Sequence, residues 1–237
     1  MMFMSLDEFV SIIVPTYNEA ENIAEVLERI VKILDSIKVT HEIIVVDDAS
    51  LDNTASIAES VLYQRGKVIR RIEKRRSLSL SVLDGIRQAR GNVLIVLDGD
   101  GSHPPEIIPQ LLEDLRQGYD LVIASRYIKG STVQRSPFYR RVISKIACIL
   151  GRMVTEIRDN SSGFFCIRKS ALEDVNVAHC GFKIGLEIFV KAKINSFKEI
   201  PYVFVNRKRG RSKFDFKAVV YYLYQVILLL FYKWIKT

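Results

Sequence analysis

Residues 93–117 read VLIVLDGDGSHPPEIIPQLLEDLRQ. An apolar run ends in two carboxylates, Asp98 and Asp100, and the pair Pro104 and Pro105 then leads into a segment with apolar residues at helical spacing. Pro105 falls near the first turn of that segment and Gly118 lies beyond its last, the positions helices reserve for those residues. The stretch is therefore one unit of buried strand, acidic turn and helix.

The same alternation extends outward from it. FVSIIVP (9–15), HEIIVVDD (41–48), KVIRRI (67–72) and DLVIAS (120–125) read as strands, and AENIAEVLERIVKIL (20–34), NTASIAESVLYQR (53–65) and LSVLDGIRQAR (80–90) as helices. Near-continuous Val and Ile runs separated by helices predict an α/β domain with a mainly parallel sheet, Rossmann-like, covered by helices on both faces. Ligands of such sheets lie outside the carboxyl ends of the strands. That rule puts Pro15, Tyr17 and Glu19, then Asp47 and Asp48, then Asp98 and Asp100, then Ser125 and Arg126 along one edge.

Beyond Arg126 the pattern loosens. FYRRVISKIACILGRMV (138–154) is an amphipathic helix with Val142, Ile146, Ile149 and Met153 on one stripe. DNSSGFFCIRKSAL (159–172) reads as a turn into a short strand, GLEIFVKAKI (185–194) as a helix and FKEIPYVFV (197–205) as a strand. The tail, FKAVVYYLYQVILLLFYKWIKT (216–237), has an apolar stretch from Ala218 to Phe231 interrupted only by Gln225, short of the roughly 20 residues that span a bilayer. Its tyrosines, Trp234 and terminal lysines suit a helix lying in a membrane interface; a core-packing helix is the plainer alternative.

Composition bounds the partners. With 237 residues, 49% of them hydrophobic, the chain can bury one sizeable core. Lys and Arg number 35 against 27 Asp and Glu, and the surplus falls after Ser125, which points to an anionic partner for the second half. Cys148, Cys166 and Cys180 show no CxxC spacing and read as reduced, buried thiols of a cytosolic protein. The start, MMFMSLDEFV, offers no export signal.

Asp-x-Asp at a strand end is by itself either a helix cap with a solvated acid or a clamp for a divalent cation, which is how proteins hold diphosphates. His103 could join such a clamp, but its place before two prolines favours a structural role.

Taken together, SIIVPTYNEAENI (11–23), EIIVVDDASLDNT (42–54), GNVLIVLDGDGSHPPEIIPQLL (91–112), YDLVIASRYIKG (119–130), DNSSGFFCIRK (159–169), FKIGLEIFVK (182–191) and NRKRGRSKF (206–214) resemble the family 2 glycosyltransferases of the GT-A fold. More narrowly, they resemble the dolichol-phosphate mannosyltransferase group, which moves a sugar from a nucleotide to a polyprenyl phosphate. The resemblance runs from about Val10 into the tail, with the segments in the family's order. It implies a catalytic domain over 1–213 and an amphipathic interface helix over 214–237.

For the site, the resemblance implies that Pro15, Tyr17, Glu19, Val46 and Asp48 hold the nucleobase and ribose. Asp98, Gly99 and Asp100 would hold Mg²⁺ or Mn²⁺ and, through it, the donor diphosphate, with Ser102 as a weak further ligand. Arg126, Arg140 and Ser144 would hold the acceptor phosphate, and Arg207 and Lys213 would close over the phosphates. Gly163 would permit close backbone approach near the acceptor.

The reaction implied is inverting, metal-dependent transfer of one mannose or glucose from GDP-mannose or UDP-glucose to a polyprenyl (dolichyl) phosphate, with Asp98, Asp100 and Arg126 at its centre. A phosphate monoester is already anionic at neutral pH and attacks without a general base, whereas a hydroxyl acceptor requires one. Relatives that glycosylate hydroxyls typically show a Gln-x-x-Arg-Trp element after an acidic base; here the only Trp is Trp234, in the tail.

The chain departs from the family's pattern in three places. KRRSLSLSVLDG (74–85) replaces a Gly-rich stretch, Ser102 stands where close relatives carry Gln, and the chain stops where polytopic relatives continue into transmembrane helices. The expected location is peripheral, on the cytoplasmic side of the cell membrane, with the membrane surface or a separate transmembrane subunit as the anchor. The altered stretch keeps a non-catalytic nucleotide-sugar-binding protein in view, and a glycosyltransferase with a non-lipid acceptor is the other alternative. No nucleic-acid partner is expected, since an acidic pocket adjoins the basic run, and a dehydrogenase is disfavoured because no G-x-G-x-x-G follows the first strand.

Overall fold

The structure is a computed structural model describing residues 8–72, 76–173, 175, 183–206 and 216–236. In chain order its first half runs β1 (Phe9–Thr16), α1 (Ile23–Ile37), β2 (Thr40–Asp47), α2 (Thr54–Leu62), β3 (Gly66–Arg70), α3 (Leu78–Gln88), β4 (Val93–Val96), α4 (Ile108–Arg116) and β5 (Leu121–Ser125). The second half adds β6 (Thr132–Gln134), α5 (Phe138–Gly151), β7 (Phe165–Arg168), α6 (Ile184–Lys191), β8 (Phe197–Pro201), β9 (Val203–Val205) and α7 (Phe216–Lys236).

Seven strands form one sheet in the order β3-β2-β1-β4-β7-β5-β8. All neighbours are parallel except β7, which runs antiparallel to both β4 and β5. Successive side chains of a strand point to opposite faces, and the Ile pairs of β1 and β2 show why both faces must be covered. Ile12 and Ile43 pack with Leu27, Ile30, Leu62 and Leu112 under α1, α2 and α4. Ile13 and Ile44 pack with Val82, Leu83, Ile188 and Phe189 under α3 and α6. Burying each such side chain contributes about 1.5–3 kcal/mol, so a sheet apolar on both faces is stable only between two helical layers.

The first-half elements fall where the sequence places them. The second half differs in detail. The stretch 197–205 is not one strand: β8 ends at Pro201, and β9 leaves the main sheet to pair with β6, which the sequence did not mark. The apolar stripe of α5 faces outward, with Val142, Ile146, Ile149 and Met153 between 39% and 59% exposed. The helix α7 lies against α5 and α6 through Tyr222, Val226 and Leu229, which pack with Val154 and Leu186. Its other side carries exposed Val220, Tyr224, Ile227, Phe231 and Trp234.

Candidate active site

The strand-end edge carries the acids. The apolar run of β4 continues through fully buried Leu97, whose N–H donates to the Ile13 carbonyl at 3.2 Å, so the next residue, Asp98, emerges just past the sheet. The Asp98 N–H donates to His103 Nδ1 at 3.1 Å, which leaves the ring's other nitrogen to carry its proton. His103 is 3% exposed and stacks on Phe164 with 5.3 Å between centroids. Burial lowers its pKa although Asp98 and Asp100 pull the other way, so the ring is neutral at physiological pH. Arg126 and Lys183 also act on this ring electrostatically, so two acids and two basic groups lie near it.

Asp100 is 8% exposed, and its Oδ1 accepts from the Ser102 N–H at 3.0 Å and the Ser102 hydroxyl at 2.6 Å. The hydroxyl expected as a weak metal ligand is thus turned to the carboxylate it would accompany. Gly163 lies against the outer acid: a Cβ built there would sit 3.4 Å from both Asp98 carboxylate oxygens and from His103 Cε1. Gly99 packs inward against Thr16 and Ile23.

The residues expected to hold the nucleoside lie at the ends of β1 and β2. Tyr17 lies under the Arg76 guanidinium, 5.1 Å from the ring centroid, and its hydroxyl is hydrogen-bonded by Arg76. Glu19 is buried; its N–H donates to Thr54 Oγ1 at 2.8 Å, and its carboxylate accepts from Asn22 Nδ2 at 3.0 Å. Pro15 and Val46 are register partners in the sheet, and the Val46 side chain is core, with no exposure.

Asp48 is held from beneath by a residue the sequence reading passed over. Arg71, 2% exposed, forms ion pairs with Asp48 and, through Nε at 2.9 Å, with Asp84 of α3. Asp48 also accepts from the Ser77 N–H at 2.7 Å, and the Ser77 side chain caps α3 by accepting from the Leu80 N–H. The altered stretch thus contains an N-cap, Ser77, tied to Asp48. Ser79 and Ser81, within that stretch, are buried, and Ser81 Oγ lies 3.3 Å from Arg71 Nη1.

Of the residues expected to hold the acceptor phosphate, Arg126 lies just past the end of β5. Asp159, fully buried, accepts from Arg126 Nε at 2.8 Å, Nη2 at 2.7 Å and the backbone N–H at 2.7 Å. Ser161 Oγ takes a further Nη2 proton at 2.8 Å, and the guanidinium lies over the rings of Tyr127 and Phe204. Burial alone would raise the Asp159 pKa, but the Arg126 charge and its hydrogen bonds outweigh it and hold the carboxyl below its usual range. Ser144 of α5 acts on the Tyr127 phenol, whose ring the Arg126 guanidinium overlies, so α5 adjoins Arg126 through that ring. Arg140, one turn before Ser144, has a buried Nε with no hydrogen-bond partner. Arg207 and Lys213 lie outside the described residues, as does Cys180. Cys148 and Cys166 are free and buried, and burial pushes the Cys148 thiol up to about 11.

Hard divalent cations take oxygen donors, and Mg²⁺ in particular is held by one or two carboxylates with substrate phosphates and water completing the shell. Asp98 and Asp100 fit that donor set. Among the described residues no group of three or more His, Cys, Asp or Glu could hold a metal by itself, so the remaining ligands would have to come from substrate and solvent.

These features define an α/β domain of the GT-A type, with the acids Asp98 and Asp100 just past the end of β4 and the Arg126–Asp159 pair just past the end of β5. Residues 11–176 match the glycosyl transferase family 2, and the chain belongs to that family. It is 43% identical over 230 residues to a dolichol-phosphate mannosyltransferase of Pyrococcus furiosus, covering 95% of this chain and 64% of that protein. It is also 35% identical over 236 residues to a dolichol-phosphate mannosyltransferase of Saccharomyces cerevisiae, covering 94% of this chain and 87% of that one. The chain thus spans just under two thirds of the archaeal relative. Among solved structures, mannosyl-3-phosphoglycerate synthase from Rubrobacter xylanophilus superposes with a TM-score of 0.72 at 16% identity, over 97% of this chain and 76% of that one. Glucosyl-3-phosphoglycerate synthase from Mycobacterium tuberculosis, in complex with Mn²⁺, UDP-glucose and phosphoglyceric acid, gives 0.68 at 20%, over 94% and 78%. Both likenesses establish the fold.

Proposed function

We propose that the chain transfers a single mannose from a nucleotide sugar, GDP-mannose before UDP-glucose, to a polyprenyl phosphate at a membrane surface. The observation that carries this is the pairing of Arg126 with Asp159. Asp159 and Ser161 occupy Nε and Nη2 of the guanidinium, and among the described residues Nη1 has no hydrogen-bond partner. Two charged N–H donors of a rigidly held guanidinium are left over, and they match an anionic phosphate acceptor. The identity with mannosyltransferases that use dolichol phosphate supports the same substrate class.

In this reading Tyr17, Glu19 and Asp48 bind the nucleoside, and Asp98 and Asp100 hold a divalent cation, Mg²⁺ or Mn²⁺. When bound, that cation neutralises the charge developing on the leaving diphosphate. An oxygen of the acceptor phosphate, oriented by Arg126, Arg140 and Ser144, attacks the anomeric carbon as the bond to the diphosphate breaks, which inverts that carbon. The phosphate needs no deprotonation, and the buried neutral His103 positions Asp98. Residues 1–213 form the catalytic unit, and the tail that carries α7 the membrane-interface element.

Location rests on two adjacent apolar faces. The outer sides of α5 and α7, two helices in contact, expose Phe138, Ile146 and Ile149 on one and Ile227, Phe231 and Trp234 on the other, and grouped exposed apolar side chains mark interaction or membrane surfaces. The segment Val219–Lys236 is long and apolar enough to cross a membrane by length and composition. Its buried contacts with α5 and α6 favour a helix lying along the domain and in the interface, with tyrosines, Trp234 and Lys236 at headgroup level. The cytoplasmic leaflet, anionic and next to the nucleotide-sugar supply, matches the basic second half.

The test incubates the protein with Mn²⁺ or Mg²⁺, polyprenyl phosphate and a panel of radiolabelled nucleotide sugars. Label moving from GDP-mannose into the organic phase is the expected result, and Asp100→Ala abolishes it. Nucleotide binding without lipid product from any donor would favour a non-catalytic binding protein.

A further inference from the structure

The tail helix reaches the acceptor pocket through two polar side chains on its otherwise apolar buried face. The Tyr222 hydroxyl shares its proton between the Ala147 carbonyl at 2.8 Å and Asn160 Oδ1 at 3.1 Å. Asn160 is fully buried, and its Nδ2 donates to the Cys148 and Ile157 carbonyls at 2.8 and 3.2 Å, which fixes its orientation. Its chain neighbours are Asp159 and Ser161, the two residues that grip Arg126. One turn further along α7, Gln225 grips the backbone of one residue on both sides: its Nε2 donates to the Lys183 carbonyl at 3.0 Å, and its Oε1 accepts from the Lys183 N–H at 3.3 Å.

Lys183 begins α6, and its ammonium lies in the field of Arg126, Asp98 and Asp159. Gly151, at the end of α5, makes the junction sterically possible: a Cβ there would overlap Asn160 Oδ1 and lie 2.5 Å from the Tyr222 hydroxyl. Packing alone would need none of this. Val226 and Leu229 already seat the helix, and a buried Gln and Tyr are retained at the cost of desolvating them.

We propose that Tyr222 and Gln225 are positioning residues for the acceptor phosphate, holding from the tail helix the two segments that flank Arg126. The helix then does more than attach the domain to lipid. The face it turns to the membrane and the bonds it makes to Asn160 and Lys183 belong to one rigid rod, so seating the helix on a bilayer sets the geometry in which Arg126 meets a phosphate rising from that bilayer. This rests on the acceptor reading of Arg126 given above.

The experiment measures initial rates of the full chain with GDP-mannose and polyprenyl phosphate in phosphatidylcholine vesicles, varying each substrate in turn. Tyr222→Phe, which removes only the hydroxyl, is expected to raise the acceptor KM about ten-fold while the donor KM stays within two-fold and vesicle association is unchanged. Gln225→Met is read the same way, so the test survives if one variant folds poorly. Combined with Arg126→Lys, Tyr222→Phe should cost clearly less than the product of the two single effects, because both act on one contact. A purely structural hydroxyl would lower Tm and move donor and acceptor KM together, and that result overturns the proposal. If Arg126→Lys raises the acceptor KM and neither α7 variant does, the relay alone is wrong. If Arg126→Lys leaves it unchanged, the acceptor reading itself fails and the relay with it.

Discussion

Asp159 takes hold of Arg126 at three points, two on the side chain and one on the backbone N–H, with every donor–acceptor distance at 2.7 or 2.8 Å. The guanidinium is 14% exposed and the carboxylate not at all, so each charge depends on the other for its place in the interior. Removing one partner of a buried pair strands the other, at about 3–5 kcal/mol. Asp159→Ala is therefore expected to lower unfolding free energy by about that amount in urea titrations, and to abolish transfer to lipid by releasing Arg126.

The same pair sets an acid limit. The folded Asp159 pKa lies below its ordinary value, so its contribution is fully present above the unfolded carboxylate pKa and is lost as pH falls through the folded one. Stability of the wild type should drop across that acidic window. Asp159→Asn, less stable at neutral pH, should show a shallower drop, and equal slopes in pH-dependent melts would show that Asp159 is not the titrating group.

Asp100 and Ser102 form a smaller unit of the same kind. The Ser102 hydroxyl fixes Asp100 Oδ1, and such supporting contacts are worth about 10–100-fold in metal affinity. Ser102→Ala should raise the Mn²⁺ concentration needed for half-maximal rate by about 10-fold, with saturating Mn²⁺ restoring kcat. Asp100→Ala should lose activity that no Mn²⁺ concentration restores. Rates that do not respond to chelation would remove the metal from the reading.

How far these groups could be read in advance follows from how local their signals are. The runs of β1, β2, β4 and β5 are visible because strands buried on both faces must be apolar at every position, and the acids after β2 and β4 stand out against them. Asp159 looks like an ordinary turn residue, since its role is defined by Arg126, 33 residues earlier. Arg71 sits in a basic run that resembles a solvated edge, yet it is among the most buried side chains. The antiparallel β7, inserted between β4 and β5, leaves no mark because Phe165–Arg168 would read the same in either direction. The stripe on α5 was legible as a stripe, but periodicity does not say whether an apolar face meets a core or a membrane.

Arg71 carries the donor-side prediction. Its guanidinium joins Asp48 to Asp84, and an ammonium cannot reproduce that fork. Arg71→Met should destabilise by about 3–5 kcal/mol by stranding the two carboxylates. Arg71→Lys should fold better while raising the nucleotide-sugar KM and leaving the acceptor KM near wild type. Equal shifts in both KM values would place Arg71 outside the donor pocket.

The apolar faces of α5 and α7 make the last prediction. Ile146, Ile227 and Trp234 are 51%, 50% and 79% exposed, so charging them removes little core packing, and surface changes of that kind usually stay within about 0.5 kcal/mol of wild-type stability. If the same side chains enter the lipid interface, each contributes about 1.5–3 kcal/mol of burial there, at least ten-fold in partitioning. Ile146→Asp and Ile227→Asp should therefore each cut sedimentation with anionic vesicles by about ten-fold or more, with Tm and nucleotide affinity held, and together they should release the protein into the supernatant. Transfer to a short-chain, water-soluble polyprenyl phosphate should persist in both variants, since neither residue touches Arg126 or the acids. Vesicle binding that survives both substitutions would remove this surface from the lipid contact.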